Sequence, residues 1–281
     1  MPSIFEVYSN ALEVGKEKDV YSNDIRALIA YDNGFSEPID VLYNRDKEMQ
    51  NLQEFSSQFA RLLDGEPLEY IINQATFLHH KLYVDNNVLI PRGETEELIA
   101  TLSEKITDYY DPRNYLVCAD IGTGSGAIAL CLKSLFPNWI LLASDTSKAA
   151  LEIAKKNFST YNERVETLEG KSLEPYIEGK INLDIIISNP PYIRNREEVQ
   201  DSVKRFEPES ALYLKEDNNV YEDIFRNYKK VKKGTLLMAF EIGYDLEDYL
   251  KELMAKYLED YEYEFGQDLN GLTRFLFVFC H

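Results

Sequence analysis

From Tyr115 onward the sequence alternates short β-rich runs with helical stretches, and few folds accept that rhythm. The runs YLVCADIG, WILLASD, RVETLEG and LDIIISN are strand-length and rich in apolar and β-branched residues. The first three are followed by helical patterns near 126–135 and 148–158 and a less regular one near 172–180. Beyond LDIIISN come a helix near 220–230, the strand TLLMAFEIG, a helix near 245–257, and the runs YEYEFGQD and TRFLFVFC. Strands that are apolar on both faces need helices on both sides. The pattern therefore predicts an α/β fold with a mostly parallel sheet. Asn270-Gly271, between the last two runs, predicts an antiparallel C-terminal hairpin at one side of that sheet.

The first 74 residues have a different period. Ile4, Phe5, Tyr8 and Leu12, then Tyr21, Ile25, Leu28 and Ile29, then Met49, Leu52, Phe55, Phe59 and Leu62 recur at helical spacing. Breaks at Asp32-Asn33-Gly34 and Asn44-Arg45-Asp46 separate the runs. These features predict a small helical domain over 1–74. In FLHHKLYVDNNVLI two strand-like runs flank Asp85-Asn86-Asn87, which predicts a hairpin or extended connector over 75–91, with the α/β domain occupying 92–281.

Composition narrows the function. No apolar stretch approaches the roughly 18 residues of a membrane helix, and MPSIFEVYSN lacks the basic and apolar regions of a signal peptide, so a cytoplasmic protein is expected. A formal net charge of -19 opposes a phosphate backbone, and direct binding to long nucleic acid is not expected. Cys118, Cys131 and Cys280 are widely spaced in apolar surroundings, as reduced core thiols are. His79 and His80 have no ligand set near them, so no metal is expected.

Asp120-Ile121-Gly122-Thr123-Gly124-Ser125-Gly126 joins the first strand of the α/β region to its first helix, where glycine lets a backbone approach a ligand closely. Gly122, Gly124 and Ala127 also satisfy a looser dinucleotide fingerprint, with Asp145 where a ribose-binding acid belongs. The loop alone does not separate NAD from S-adenosylmethionine. Asp120 favours the second, because its carboxylate attracts an ammonium group and repels a pyrophosphate. Ile121 or a residue after the third strand is a candidate surface for the adenine. No Gly-Lys-Ser/Thr follows, which disfavours ATP hydrolysis.

The fourth strand ends in Asn189-Pro190-Pro191-Tyr192. Two prolines remove two backbone donors and stiffen the corner. The Asn189 side-chain oxygen and the Pro190 main-chain oxygen are two acceptors suited to an NH2 group, and Tyr192 adds a flat face for a planar amide or base. An amide or exocyclic ring nitrogen is a poor nucleophile because its lone pair is delocalised. Holding it still beside an electrophilic methyl is the catalytic aid such a corner can give.

Together with Gly65-Glu66-Pro67-Leu68-Glu69-Tyr70-Ile71, Leu89-Ile90-Pro91-Arg92 with Thr95-Glu96, Glu241-Ile242-Gly243-Tyr244, and Asp268-Leu269-Asn270-Gly271 with Arg274, these motifs resemble, in order, the release factor glutamine methyltransferases. That group belongs to the class I S-adenosylmethionine-dependent enzymes, with a Rossmann-like sheet. The resemblance implies methylation of the glutamine amide nitrogen (N5) in the Gly-Gly-Gln loop of a peptide chain release factor, with S-adenosyl-L-homocysteine as product. It implies that Gly122, Thr123, Gly124, Ser125 and Gly126, with Asp120, wrap the methionine part of the cofactor and that Asp145 holds its ribose. Asn189 stands beside the cofactor; with Pro190 it would hold the glutamine NH2, while Pro191 and Tyr192 complete the corner and the helical domain docks the release factor. Two positions depart from the family pattern: Gly93-Glu94 replaces Pro-Asp, and Lys171-Ser172 stands where an acidic and an aromatic residue usually flank the adenine. Arg92 either reaches the crevice or braces Glu94 or Glu96. A glutamine methyltransferase acting on a ribosomal protein shares these motifs. An adenine-N6 nucleic-acid methyltransferase shares the Asn-Pro-Pro-Tyr corner, and a non-catalytic cofactor-binding module would keep the fold.

Overall fold

A computed structural model describes residues 1–215 and 219–281, apart from the side chain of Glu198. The chain divides into two compact units, Met1–Gln74 with Asp201–Phe206, and Ala75–Gln200 with Glu207–His281.

The first unit is helical: α1 (Ile4–Lys16), α2 (Ser22–Asp32), α3 (Asp40–Tyr43), α4 (Leu52–Leu63) and α5 (Leu68–Ile71). Ser3 starts α1 with a capping box, its hydroxyl accepting from the Glu6 amide while the Glu6 carboxylate accepts from the Ser3 amide. At the other end of the pair, α2 stops where Asn33 turns its side-chain amide to the Ile29 carbonyl at 2.7 Å and Gly34 takes φ +68°. The periodic residues Ile4, Ile25, Leu28, Ile29, Met49 and Phe55 meet in one buried core. Arg205 joins this unit through Asp64, its guanidinium 2.6 Å from the carboxylate and 2.7 Å from the main-chain oxygen.

The second unit opens with a two-stranded hairpin, β1 (Ala75–Phe77) and β2 (His80–Leu82). Its turn lies at Leu78-His79 and not at Asp85-Asn86-Asn87, where the turn-forming residues predicted it. Leu78 accepts φ +50° because its amide is held by the Glu96 carboxylate at 2.6 Å. Asp85 instead closes a separate turn, accepting from the Asn87 amide at 2.9 Å.

Next comes α6 (Gly93–Tyr109), absent from the predicted alternation because its buried Leu98, Ile99, Leu102 and Ile106 are diluted by acidic and polar neighbours. The alternation then follows as β3 (Val117–Ile121), α7 (Ala127–Leu135), β4 (Ile140–Asp145), α8 (Lys148–Thr160), β5 (Glu166–Glu169), α9 (Glu174–Glu178) and β6 (Leu183–Ser188). After two short helices, α10 (Asp201–Phe206) and α11 (Glu209–Leu212), come α12 (Val220–Asn227), β7 (Lys232–Glu241), α13 (Glu247–Tyr257), β8 (Tyr261–Gln267) and β9 (Thr273–Cys280).

The seven main strands run in the order β5-β4-β3-β6-β7-β9-β8. Pairing is parallel from β5 to β7 and antiparallel for β9 against β7 and β8, so the expected α/β sheet and C-terminal hairpin are both present. The hairpin folds back so that its second strand lies inside and β8 forms the edge.

Strand parity divides the apolar residues between two cores. Cys118, Ile185, Ile187, Leu237 and Ala239 pack under α6 and α7, with Phe275 and Phe277 from β9. Ala119, Ile121, Ile186, Met238 and Phe240 pack under α12 and α13 on the opposite face. Each of β3, β6 and β7 ends its first-face series in a polar residue: Asp120, Asn189 just past β6, and Glu241. The chain runs from β3 outward to β4 and β5, then returns to β6 on the other side of β3. The crevice beyond the carboxyl ends of β3 and β6 is thus the topological switch point, where open α/β sheets bind their ligands.

Candidate active site

The turn after β3 is built on three glycines with positive φ, +73° at Gly122, +54° at Gly124 and +83° at Gly126, which side chains rarely tolerate. Their surroundings differ. A β-carbon added at Gly122 or Gly124 would meet nothing within 4 Å, so the backbone there is bare toward the cavity. One added at Gly126 would come within 2.7 Å of the Phe158 ring, because this glycine lets the start of α7 press against α8.

The loop is anchored from below and from the side. Gly122 and Thr123 donate to the Ser144 carbonyl at 2.8 and 2.9 Å. The Asp120 carboxylate accepts from the Thr123 hydroxyl at 2.6 Å and the Ala129 amide at 3.1 Å through one oxygen, while its other oxygen is buried with no hydrogen-bond partner. Full burial pushes the Asp120 carboxyl up to about 7, against the lowering effect of those two donors. Asp145, at the end of β4, accepts from the Gly124 amide at 3.0 Å and the Ser147 amide at 2.8 Å. Burial raises its pKa, and the backbone donors work in the opposite direction.

A cavity lies over this loop. Gly122, Thr123, Gly124, Ser125, Asp145, Ser172, Asn189, Pro190 and Pro191 all line it, so most of the residues singled out in the sequence are brought together. Ser172 is buried, at φ +50°, and its hydroxyl oxygen has no partner. Three others do not line the cavity. Asp120 lies beneath the loop, since its strand parity turns it toward α7, and so it does not present an open carboxylate to a ligand. Gly126 is used in packing. Tyr192 directs its hydroxyl to Glu241 at 3.2 Å, and the Arg274 guanidinium stands 6.0 Å from its ring centre, so its aromatic face is not part of the cavity wall.

Behind Asn189 is a polar cluster that sequence reasoning left without a role. Asn189 donates its side-chain NH2 to the Thr95 hydroxyl at 3.0 Å, and Thr95 donates to the Glu241 carboxylate at 2.6 Å. Tyr192 donates to the other Glu241 oxygen, and Tyr221 donates to the Glu241 main-chain oxygen at 2.7 Å. Burial pushes the Glu241 carboxyl up to about 7, opposed by the Thr95 and Tyr192 donors. Strand parity was the signal that could have exposed this cluster. Ile187 pairs with Ala239, so the next residues of that series, Asn189 and Glu241, fall side by side on the face covered by α6. Arg92 pairs with the buried carboxylate of Glu207, and not with Glu94 or Glu96.

The chain resembles known methyltransferases in sequence and in fold. Residues 95–240 match the model of the methyltransferase small domain family. A release factor glutamine methyltransferase of Staphylococcus aureus is 35% identical over 228 residues, covering 79% of each chain. The chain belongs to the release factor glutamine methyltransferase family. A second member, from Bacillus subtilis, is 32% identical and aligns over 100% of this chain and 99% of its own, so the likeness extends through the helical unit as well. Among solved structures, a methyltransferase from Pyrococcus furiosus shares the fold with a TM-score of 0.50 at 16% identity, over 80% of this chain and 98% of its own. Among the described residues, no helix of this family member is long and apolar enough to cross a membrane.

Proposed function

We propose that this chain transfers the methyl group of S-adenosyl-L-methionine to the side-chain amide nitrogen of the glutamine in the Gly-Gly-Gln loop of a peptide chain release factor. The observation that carries the proposal is the sharing of one cavity by the bare glycine loop and Asn189, with the Asn189 amide nitrogen already committed to Thr95. Its carbonyl oxygen is left for a guest that brings an NH2. The relatives' shared name, release factor glutamine methyltransferase, supplies the substrate.

The residues present fit the cofactor. Gly122 and Gly124 leave room for a close-lying chain, Asp145 stands at the cavity wall as an acceptor for hydroxyls, and the unpartnered Ser172 hydroxyl is a polar contact for the edge of a base. One Asp120 oxygen is left unsatisfied beneath the glycine loop, and when ionised its charge would favour an ammonium group on the ligand. When bound, the cofactor supplies an electrophilic methyl on a sulfonium. Asn189 and Pro190 then hold the glutamine NH2 and aim its lone pair into the cavity, and their rigidity supplies part of the roughly 7–11 kcal/mol that proximity and orientation can provide. The amide becomes far more acidic once alkylated, so its proton can leave to water afterwards. No histidine base is needed, and among the described residues none lines the cavity.

The helical unit, residues 1–74, is the proposed docking element for the release factor, and Pro190 and Pro191 complete the substrate side of the cavity. The test is label transfer from S-adenosylmethionine to a release factor, to its Gln-to-Ala loop variant, to ribosomal proteins and to DNA. Label on the release factor that vanishes in the loop variant is expected. Equal labelling of parent and variant, or labelling of a ribosomal protein or DNA in its place, overturns the proposal.

A further inference from the structure

The cluster behind Asn189 has a direction built into it. A threonine hydroxyl has one proton and two acceptor positions. With Glu241 ionised, above about pH 7, the Thr95 proton is given to its carboxylate, so towards Asn189 the same oxygen can only accept. That leaves the Asn189 side chain one way round, NH2 towards Thr95 and carbonyl oxygen away from it, towards the cavity. Reversed, two acceptors would face each other in a buried place, which is costly.

We infer that Thr95 and Glu241 are positioning residues that set the orientation of the Asn189 amide, so that a side-chain oxygen and not an NH2 meets the incoming substrate nitrogen. The inference rests on the proposed amide substrate for its purpose, although the orientation itself is a property of this chain alone. In its ionised form Glu241 is suited to the task because both its oxygens accept hydroxyl protons, from Thr95 and from Tyr192, and it is fully buried at the end of β7. Its surroundings include the Glu94 carboxylate, the Arg274 guanidinium and the Tyr221 hydroxyl. Thr95 sits in the first turn of α6, so the helix that covers the sheet also delivers the hydroxyl to the strand ends. Neither residue lies within the glycine loop, and the device acts on the substrate side of the cavity only.

The experiment compares the parent with Thr95→Val, which keeps the shape and removes the hydroxyl, and Thr95→Ser, which keeps the hydroxyl. Single-turnover methyl transfer to the release factor should fall by about 10- to 100-fold in Thr95→Val, the range a misplaced reacting group costs, while substrate KM and S-adenosylhomocysteine affinity stay within about threefold. Thr95→Ser should return the rate to within about threefold of the parent, since it restores the same hydrogen bonds. A second readout needs no turnover: in 15N-asparagine-labelled protein, the Asn189 side-chain NH2 signal, assigned by its loss in Asn189→Ala, should exchange slowly with solvent in the parent and Thr95→Ser and quickly in Thr95→Val. Unchanged rate and exchange in Thr95→Val overturn the inference. If the parent fails to methylate the release factor, the functional reading falls, and the exchange measurement alone decides the orientation: slow in the parent and fast in Thr95→Val supports it, equal in both overturns it.

Discussion

The carboxyl ends of β3 and β6 adjoin at the switch point, yet they are built in opposite ways. After β3 the chain removes side chains: Gly122 and Gly124 expose backbone, while Asp120 and Asp145 hold the turn through the Thr123 hydroxyl and the Ala129 and Gly124 amides. After β6 it keeps one side chain, Asn189, and surrounds it with prolines, a threonine and a buried glutamate. A loop of bare backbone suits a ligand that is large and held at many points. A single oriented amide suits a small group that must be aimed. Under the proposed function, the first end serves affinity and the second serves rate.

That division can be broken at either end. The largest effect is expected for Asn189→Ala: a fall of roughly 1,000-fold in single-turnover rate, the upper end of what losing one preorganised group costs, with S-adenosylhomocysteine affinity by calorimetry little changed. A comparable loss of cofactor affinity in that variant would erase the contrast. Gly126→Ala tests the packing beneath the loop. Its new methyl would meet Phe158 at a backbone angle of +83°, and overpacking with left-handed strain should lower stability by about 3 kcal/mol, read from denaturant midpoints. Asp145→Ala should weaken cofactor binding by about 1.5–3 kcal/mol, the range for a hydrogen bond to a charged group, while the rate at saturating cofactor changes far less.

The smallest effect concerns pH. The Glu241 carboxyl is pushed from 4.5 up to about 7 by burial, so folding favours its protonated form. For an acid shifted upwards, that favourable protonation is complete below the unfolded value and is lost as pH rises through the folded one. Stability should therefore decline between about pH 4.5 and 7. Asp120, shifted from 3.8 to about 7 by its own burial, adds a second decline of the same sign. Glu241→Gln should flatten the slope of unfolding free energy against pH without abolishing it, and an unaltered slope would assign the whole dependence to other groups.

Much of this was readable in advance, for reasons that differ by element. The runs ending at Ile121, Asp145 and Ser188 were legible because strands buried on both faces leave little freedom in composition. The glycine loop is legible because three closely spaced glycines after an apolar run mark a backbone that side chains rarely adopt. The β1–β2 turn was misplaced at Asp85-Asn86-Asn87, since turn chemistry there was strong while Leu78 depends on a distant acceptor, Glu96. The place of Asp120 in the motif is visible in the sequence, but its direction, toward Thr123 and α7, is set by the fold.

The sequence determined the parts whose physics is local: strand length, helical period, the stiffness of Pro190-Pro191 and the conformational freedom of Gly122, Gly124 and Gly126. Tertiary structure decided which distant residues share a proton. Thr95, Asn189 and Glu241 are separated by 94 and 146 positions in the hydrogen bonds that link them, and no local rule couples such residues. Only the parallel pairing of β6 with β7 beneath α6 brings the three together, and hydrogen bonding acts over a few ångströms, not along a sequence.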